Sequence, residues 1–249
     1  MNIDLAGKRA IVAGGSRGIG RAIALAFAEA GAGVSICARG AERLAATREE
    51  IARHGGTAHA AVCDLADAAA VPRYIEEAAG ALGGIDILVN NASGFGASDD
   101  EAGWAVSVSV DLMATVRAIR TALPHLEKSG SGVILNISSI SGLRATPRTP
   151  PYAAIKAAVV NYTLTEAAAL ARKGIRVNCI APGSIEFPGG TWERARLNNP
   201  DLHGRILRSI PFGRLGKPEE VAQVALFLCS RLAGWVTGQT IAVDGGQVL

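Results

Sequence analysis

The sequence predicts an α/β fold, a doubly wound parallel sheet of about seven strands with helices on both faces. Short apolar runs alternate with segments of helical periodicity along the whole chain. The runs lack a polar alternation, which is typical of strands buried on both faces. A glycine-rich turn at residues 14–20 follows the first run and opens the first helical segment. These features together indicate successive β–α–β units with right-handed crossovers.

The first half of the chain carries four predicted strands with helices between them. The strands are residues 8–13, 33–38, 57–63 and 86–89. The helices are residues 19–30, 41–54 and 67–82, followed by a long helix within 99–127. Pro124 is expected to kink or terminate that helix, because proline lacks an N–H and its ring clashes with the preceding turn.

The second half continues the alternation and contains one long interruption. Strands are predicted at residues 132–137, 175–181 and 239–243, and helices at 153–173 and 219–229. We expect residues 1–249 to form a single domain. The insert at about 184–217 is too long for an ordinary connection between strand and helix. It is interpreted as a lid over a substrate pocket, or as an excursion that packs on a neighbouring subunit.

Composition limits the classes of function. The 249 residues are 49% hydrophobic with a formal net charge of +3 and no basic run, so nucleic acid is not an expected partner. The four cysteines show no C-x-x-C spacing, which predicts reduced core thiols and no metal site. The N-terminus lacks the basic and apolar regions of a signal peptide. No apolar stretch reaches about 18 residues, so a cytoplasmic protein without a membrane span is expected.

The glycine turn predicts a dinucleotide site. Gly14 permits the sharp turn after the strand, Gly18 lets the backbone approach a pyrophosphate, and Gly20 allows close packing of helix on strand. The free N–H groups at the start of the following helix favour an anion.

The end of the second strand predicts which dinucleotide binds. An acidic residue there would bind the ribose 2′-hydroxyl of NAD, but the chain has Ala38 followed by Arg39. Arg39 and Arg17 are candidates for the 2′-phosphate of NADP(H), because arginine is the preferred phosphate partner. Either arginine could instead be a solvated surface residue.

Four further motifs follow in order along the chain. Asn90-Asn91-Ala92 follows a predicted strand, Ser139 follows the next, Tyr152 and Lys156 open a long helix, and Pro182-Gly183 follows the sixth strand. Together with the glycine turn, this set resembles the short-chain dehydrogenase/reductase family, whose fold is of the Rossmann type, over essentially the whole chain. Within the family the chain looks most like the 3-oxoacyl-[acyl-carrier-protein] reductase-like group.

The resemblance assigns roles that the chemistry supports. A tyrosine hydroxyl of ordinary pKa, about 10, is a poor acid at neutral pH, and a nearby ammonium group favours its ionised form. The resemblance implies that Tyr152 is the acid/base, that Lys156 supplies this charge and holds the nicotinamide ribose, and that Ser139 binds the substrate oxygen. Asp111 stands where the family usually has a catalytic asparagine, and we expect it still to position a water, with an altered pH profile.

The cofactor-binding set is also carried over from the family. Asp64 is expected to contact the adenine, Asn90 the adenine ribose, and the backbone of Ile185 the nicotinamide. Asp64 could instead cap the following helix. The complete set is Gly14, Ser16, Arg17, Gly18, Ile19, Gly20, Arg39, Asp64, Leu65, Asn90, Ala92, Tyr152, Lys156, Pro182, Gly183 and Ile185.

Two departures from the family pattern lie near the expected site. Phe187 replaces the usual threonine that binds the nicotinamide carboxamide, and Ser184 or Thr191 could substitute for it. Ser93 replaces a glycine after the asparagine pair.

The resulting prediction is an NADP(H)-dependent oxidoreductase acting on a small-molecule carbonyl or secondary alcohol, with a 3-oxoacyl thioester as the leading substrate. The alternatives are an NAD-dependent alcohol or sugar dehydrogenase and a catalytically weak NADP-binding regulatory protein. The resemblance also implies a homotetramer.

Overall fold

The computed structural model of the chain describes residues 3–249. Seven parallel strands form one sheet in the order β3-β2-β1-β4-β5-β6-β7. The strands are β1 (Arg9–Ala13), β2 (Gly33–Ala38), β3 (Ala58–Val62), β4 (Ile87–Asn90), β5 (Val133–Ile137), β6 (Arg176–Pro182) and β7 (Thr240–Val243). The predicted fold class is confirmed.

The helices connect consecutive strands and cover both faces of the sheet. They are α1 (Gly18–Glu29), α2 (Ala41–Ala52), α3 (Ala70–Leu82), α4 (Glu101–Val106), α5 (Ala114–Ser129), α6 (Pro150–Leu170), α7 (Thr191–Asn198), α8 (Pro200–Arg208) and α9 (Pro218–Cys229). A π-helical turn, Ser107–Met113, joins α4 to α5. The chain leaves β1 toward β3, then returns to place β4 on the other side of β1. Ligands of such sheets bind at the carboxyl ends of the strands beside this reversal.

Two apolar clusters lie on opposite faces of the sheet. Val12 and Val89 belong to the cluster that includes residues of α1 and α9, whereas Ile11 and Leu88 belong to the cluster beneath α3 and α5. Because consecutive strand residues point to opposite faces, both faces require apolar side chains. This is why the central strands are unbroken apolar runs. The edge strands β3 and β7 are only partly buried.

Pro124 does not terminate its helix, which was one of the two outcomes expected of it. The helix continues to Ser129 and ends at Gly130, which has a φ of 68°. Pro124 lacks an N–H, so the carbonyl of Arg120 has no backbone donor. Both residues are exposed, so this carbonyl can bond to water. Ala122 and Leu126 are fully buried and hold the helix against the sheet.

The helical stretch Glu101–Ser129 differs from our expectation. Its 29 residues are long and apolar enough to cross a membrane, judged by length and composition alone. Within its most apolar window 39% of the residues are buried, and Ala118 and Ile119 pack in the second cluster. The core helix of a folded domain meets the same criterion, so packing against the sheet accounts for this composition.

Candidate active site

A cleft of about 1030 Å³ runs along the carboxyl ends of the strands. Its lining includes the glycine turn after β1, the loops after β2 to β6, the start of α6 and side chains from α7 and α8. The cleft therefore lies where the order of the strands predicts a ligand site.

The glycine turn can cradle an anion. A Cβ atom on Gly20 would lie 2.1 Å from the carbonyl oxygen of Gly14, so only glycine lets α1 begin this close to the turn. Gly18 has a φ of 53°, a left-handed conformation that side chains disfavour. The N-terminus of α1 then presents its unpaired N–H groups to the cleft. This geometry fits the pyrophosphate of a dinucleotide.

Lys156 lines the cleft but is almost completely buried, and it is held by one hydrogen bond and one ion pair. Its Nζ donates to the carbonyl oxygen of Ile137 at 3.0 Å and lies 3.1 Å from Oδ1 of Asp111. The side chains of Lys156 and Asp111 are only 3% and 0% exposed. Burial alone would lower the pKa of Lys156, but the Asp111 carboxylate outweighs it and holds that pKa above its ordinary value. Lys156 therefore stays a cation.

Asp111 joins Lys156 to the loop after β4. Its Oδ2 accepts a hydrogen bond from the backbone N–H of Gly94 at 2.9 Å, while Oδ1 faces Lys156. Asp111 lies in the π-helical turn, whose wider spacing is often found at functional sites. The structure thus shows Asp111 in direct contact with the lysine.

Tyr152 lines the cleft beside Lys156 and Phe95. The Nζ of Lys156 lies 5.6 Å from the centre of the Tyr152 ring, and the rings of Phe95 and Tyr152 are 4.9 Å apart in an edge-to-face arrangement. Phe95 is the non-glycine residue with a positive φ, 49°, in the part of the chain that the structure describes. Its left-handed backbone was not predicted, although a loop position beside Gly94 is compatible with it.

Ser139 lines the same part of the cleft and is 8% exposed. Its Oγ accepts a hydrogen bond from the N–H of Ser141 at 3.1 Å, which leaves its own hydroxyl hydrogen available to an oxygen in the cleft. The structure brings Ser139, Tyr152, Lys156 and Asp111 together, as the sequence predicts.

The nucleotide end of the cleft is lined by arginines. Arg17 and Arg39 lie there as predicted, and Arg43 from α2 joins them, which sequence analysis missed. Arg17 donates to the carbonyl oxygen of Gly189 at 3.4 Å. Asp64 lines the cleft, and its Oδ1 accepts from the N–H of Ala66 at 3.0 Å, so it also closes the turn that follows.

The side chain of Asn90 does not line the cleft. Its side chain is buried and donates to Oδ1 of Asn136 at 2.9 Å, and Asn136 in turn donates to Oγ1 of Thr163 at 3.0 Å. The lining of the cleft comes instead from Asn91 and Ala92. The side chain of Asn90 therefore ties β4 to β5 and α6, and only its backbone can serve a ribose. The other predicted cofactor residues, Gly14, Ser16, Ile19, Gly20, Leu65, Pro182, Gly183 and Ile185, line the cleft.

Comparison with known proteins identifies the family. A family model described as enoyl-(acyl carrier protein) reductase matches residues 13–247. The 3-oxoacyl-[acyl-carrier-protein] reductase FabG of Chlamydia pneumoniae is 38% identical over 253 residues, which cover 99% of both chains. The chain belongs to the short-chain dehydrogenase/reductase family.

Solved structures of similar short-chain dehydrogenases share the fold. A 7α-hydroxysteroid dehydrogenase complexed with NADH and 7-oxo glycochenodeoxycholic acid has a TM-score of 0.92 at 36% identity, covering 98% of this chain and 96% of that one. An NADPH-bound short-chain oxidoreductase of Pseudomonas aeruginosa PAO1, described as containing an atypical catalytic center, has a TM-score of 0.89 at 36% identity, covering 98% of both. The chain is accordingly a nicotinamide-dependent oxidoreductase.

Phe187, which departs from the family pattern, lies against the glycine turn. A Cβ atom on Gly18 would lie 2.7 Å from Cζ of Phe187, so the aromatic ring rests directly on the glycine turn. Ser184 and Thr191 both line the cleft, but Ser184 is buried and bonded to Gln247, whereas Thr191 is exposed. Of the two suggested substitutes for the missing threonine, only Thr191 combines a free hydroxyl with an unburied side chain.

Proposed function

We propose that the chain is an NADP(H)-dependent reductase or dehydrogenase for a carbonyl or secondary alcohol, with a 3-oxoacyl thioester as the first substrate to test. The observation that carries the proposal is the position of Ser139, Tyr152 and Lys156 in one cleft, beside a glycine turn and a group of arginines. The supporting relatives act on acyl-carrier thioesters or hydroxysteroids by name.

Each candidate catalytic residue in the cleft has its own role in carbonyl reduction. The nicotinamide, when bound, supplies the hydride. The Tyr152 hydroxyl gives its proton to the carbonyl oxygen, and the Ser139 hydroxyl donates a hydrogen bond to the same oxygen as negative charge develops. The Lys156 cation stabilises the ionised Tyr152. Asp111 acts through Lys156, because it pairs with Nζ and fixes its position.

The NADP(H) preference rests on charge. Arg17, Arg39 and Arg43 line the nucleotide end, where the loop after β2 offers no carboxylate. A 2′-phosphate gains charge-assisted hydrogen bonds from arginine, each worth about 1.5–3 kcal/mol. We expect Arg39→Ala to raise KM for NADPH by roughly 10-fold or more with little effect on KM for NADH. Equal effects on both cofactors would refute the assignment of Arg39.

The decisive experiment is NADPH oxidation with acetoacetyl-CoA by the wild type and Tyr152→Phe. Tyr162→Phe is a matched control, because Tyr162 lies ten residues further along α6, outside the cleft. We expect turnover to vanish in Tyr152→Phe and to persist in Tyr162→Phe. Persistent turnover in Tyr152→Phe would contradict the mechanism.

A weakly catalytic NADP-binding protein is the second candidate. The Asp111 carboxylate favours it, since a contact of 3.1 Å offsets part of the positive charge that Lys156 offers to Tyr152. Tight NADPH binding by fluorescence without turnover of any tested ketone or thioester would select this candidate.

The proposal includes a lid formed by residues 184–217 and a homotetrameric assembly. Residues 184–217 supply Trp192, Leu202 and Ile206 to the cleft, which supports their role as a lid on a single domain. Exposed apolar side chains on α4 to α6, including Trp104 and Leu164, support a homotetramer, which sedimentation analysis can test. Four free cysteines are consistent with the reducing cytoplasm.

A further inference from the structure

Among the described residues that line the cleft, the charged side chains are cationic except for Asp64. Along the carboxyl edge of the sheet, Asp64 follows β3, and Arg39 follows β2 at the nucleotide end. At the opposite end, the loop after β5 contributes Arg144 and Arg148. Among the residues from 3 to 249 that line the cleft, Asp64 is the only acidic one, and it lies at the nucleotide end. The substrate end is therefore cationic without a carboxylate in its wall.

Arg144 and Arg148 have different environments. Arg144 donates from Nη1 to the backbone carbonyl of Gln247 at 2.7 Å, which fixes its side chain against the C-terminal segment. Gln247 is itself held by its amide, which bonds to Ser184. Within residues 3–249, Arg148 has neither a hydrogen-bond nor an ion-pair partner, although it lines the cleft two residues before α6 begins. Arg148 is thus the cation available to a ligand at this end.

The part of the cleft between Tyr152 and the lid carries six apolar side chains beside the hydroxyl groups of Ser109, Thr149 and Thr191. Its apolar side chains come from the loop after β4, from α4 and the π-helical turn, and from the lid. They are Phe95, Val106, Val110, Trp192, Leu202 and Ile206. These six side chains favour a hydrocarbon body on the substrate, because contact with them removes apolar surface from water.

We propose that the substrate is a carbonyl compound with an apolar body and an anionic group remote from the carbonyl, and that Arg148 binds this anion. The inference rests on the proposed function, because Tyr152 fixes the position of the carbonyl. A guanidinium group can bind a carboxylate or phosphate through two parallel hydrogen bonds. The anion can be a carboxylate of the substrate itself or a phosphate of a carrier thioester, and both present the same chemistry to Arg148.

The test compares matched substrates that differ in charge. One pair is 4-oxo-4-phenylbutanoate and its methyl ester, and the other is acetoacetyl-CoA and the uncharged acetoacetyl-N-acetylcysteamine. We expect kcat/KM with NADPH to favour the charged member of at least one pair by about 10-fold or more, since a charged hydrogen bond contributes this much. A preference confined to the first pair assigns the anion to a carboxylate, and one confined to the second assigns it to carrier phosphates.

Arg148→Ala should reduce the preference for the charged substrate to less than about twofold, and Arg148→Lys should retain part of it. Arg53→Ala is the matched control, because Arg53 is exposed at the end of α2 and does not line the cleft. Equal kcat/KM within both pairs, or a preference that survives in Arg148→Ala, would overturn the inference.

A second readout separates this inference from the proposed function. Calorimetric titration of the NADP⁺-loaded protein with the acid and its ester, and with the two thioesters, measures charge preference without catalysis. If no substrate turns over, the proposed function fails. Tighter binding of a charged member, lost in Arg148→Ala, would still support the anion site, and equal binding within both pairs would remove it.

Discussion

Replacing Asp111 by asparagine should destabilise the protein mainly because the buried Lys156 loses its counter-ion. The two charges lie 3.1 Å apart and are almost completely buried. At an effective dielectric constant of about 20, their attraction is roughly 5 kcal/mol, although the cost of burying both charges offsets much of it. Asparagine fills the same volume, so Asp111→Asn leaves no cavity but leaves Lys156 without its anion. Loss of one partner of a buried pair typically costs about 3–5 kcal/mol, and we expect about 3 kcal/mol here.

A double-mutant cycle measures the interaction itself. Urea unfolding followed by circular dichroism would give the free energy of unfolding of the wild type, Asp111→Asn, Lys156→Met and the double variant. Each single variant leaves one charge unpaired, whereas the double variant leaves none. We expect the double variant to be more stable than the sum of the single effects by at least about 1.5 kcal/mol. Effects that add to within about 0.5 kcal/mol would refute a direct ion pair.

The pH dependence of the cycle follows from the raised pKa of Lys156. A lysine with a folded-state pKa above its unfolded value stabilises the protein fully below the unfolded pKa, about 10.4, and loses that contribution as the pH rises through the folded pKa. In Asp111→Asn the carboxylate is gone and burial lowers the pKa of Lys156 below its unfolded value. The destabilisation of this variant relative to the wild type should therefore be full near pH 6 and should shrink as the pH rises toward about 10.

Two further predictions concern residues outside the catalytic group. Asp86 accepts hydrogen bonds from Arg9 and Ser129 at 2.7 and 2.6 Å, which outweigh burial and lower its pKa. Asp86→Asn should lower the free energy of unfolding in urea by about 2 kcal/mol at pH 7. The difference in stability between the wild type and the variant should shrink as the pH falls below about 4, where the carboxylate becomes protonated. A difference that does not change with pH would contradict this prediction. Phe187→Thr should remove the ring that covers Gly18. For a wild type in which the ring leaves Gly18 open about a tenth of the time, the variant should bind NADPH roughly 10-fold more tightly, because the binding-competent state is then always populated. Unchanged stopped-flow fluorescence kinetics would show that the ring does not obstruct the cofactor.

Local patterns predicted most of the fold and which candidate site residues lie in the cleft. The strands are unbroken apolar runs because both faces of the sheet are covered, and the glycine turn is defined within residues 14–20. Tyr152 and Lys156 share a helix, so their proximity follows from a spacing of four residues. Features of this kind depend on neighbours in sequence, and sequence therefore determines them well.

Features that depend on distant residues were not predicted. Asn90 has the sequence context of a cleft residue, but its amide pairs with Asn136, which lies 46 residues away on the neighbouring strand. The continuation of α5 through Pro124 depends on which side of the helix meets the core, which the local sequence does not state. The Phe187 ring reached Gly18 through the path of a loop, and no periodic pattern encodes such a path.

Asp111 shows why such contacts matter for catalysis. Its carboxylate holds the N–H of Gly94, 17 residues earlier, with one oxygen and faces the Lys156 ammonium with the other. Gly94 precedes Phe95, whose ring packs on Tyr152, so one carboxylate supports both the cation and the aromatic wall beside the proposed acid/base. An asparagine can accept from only one of these two donors, because its nitrogen is itself a donor. The aspartate in this family position is therefore a structural link between two walls of the cleft, and its replacement should disturb both.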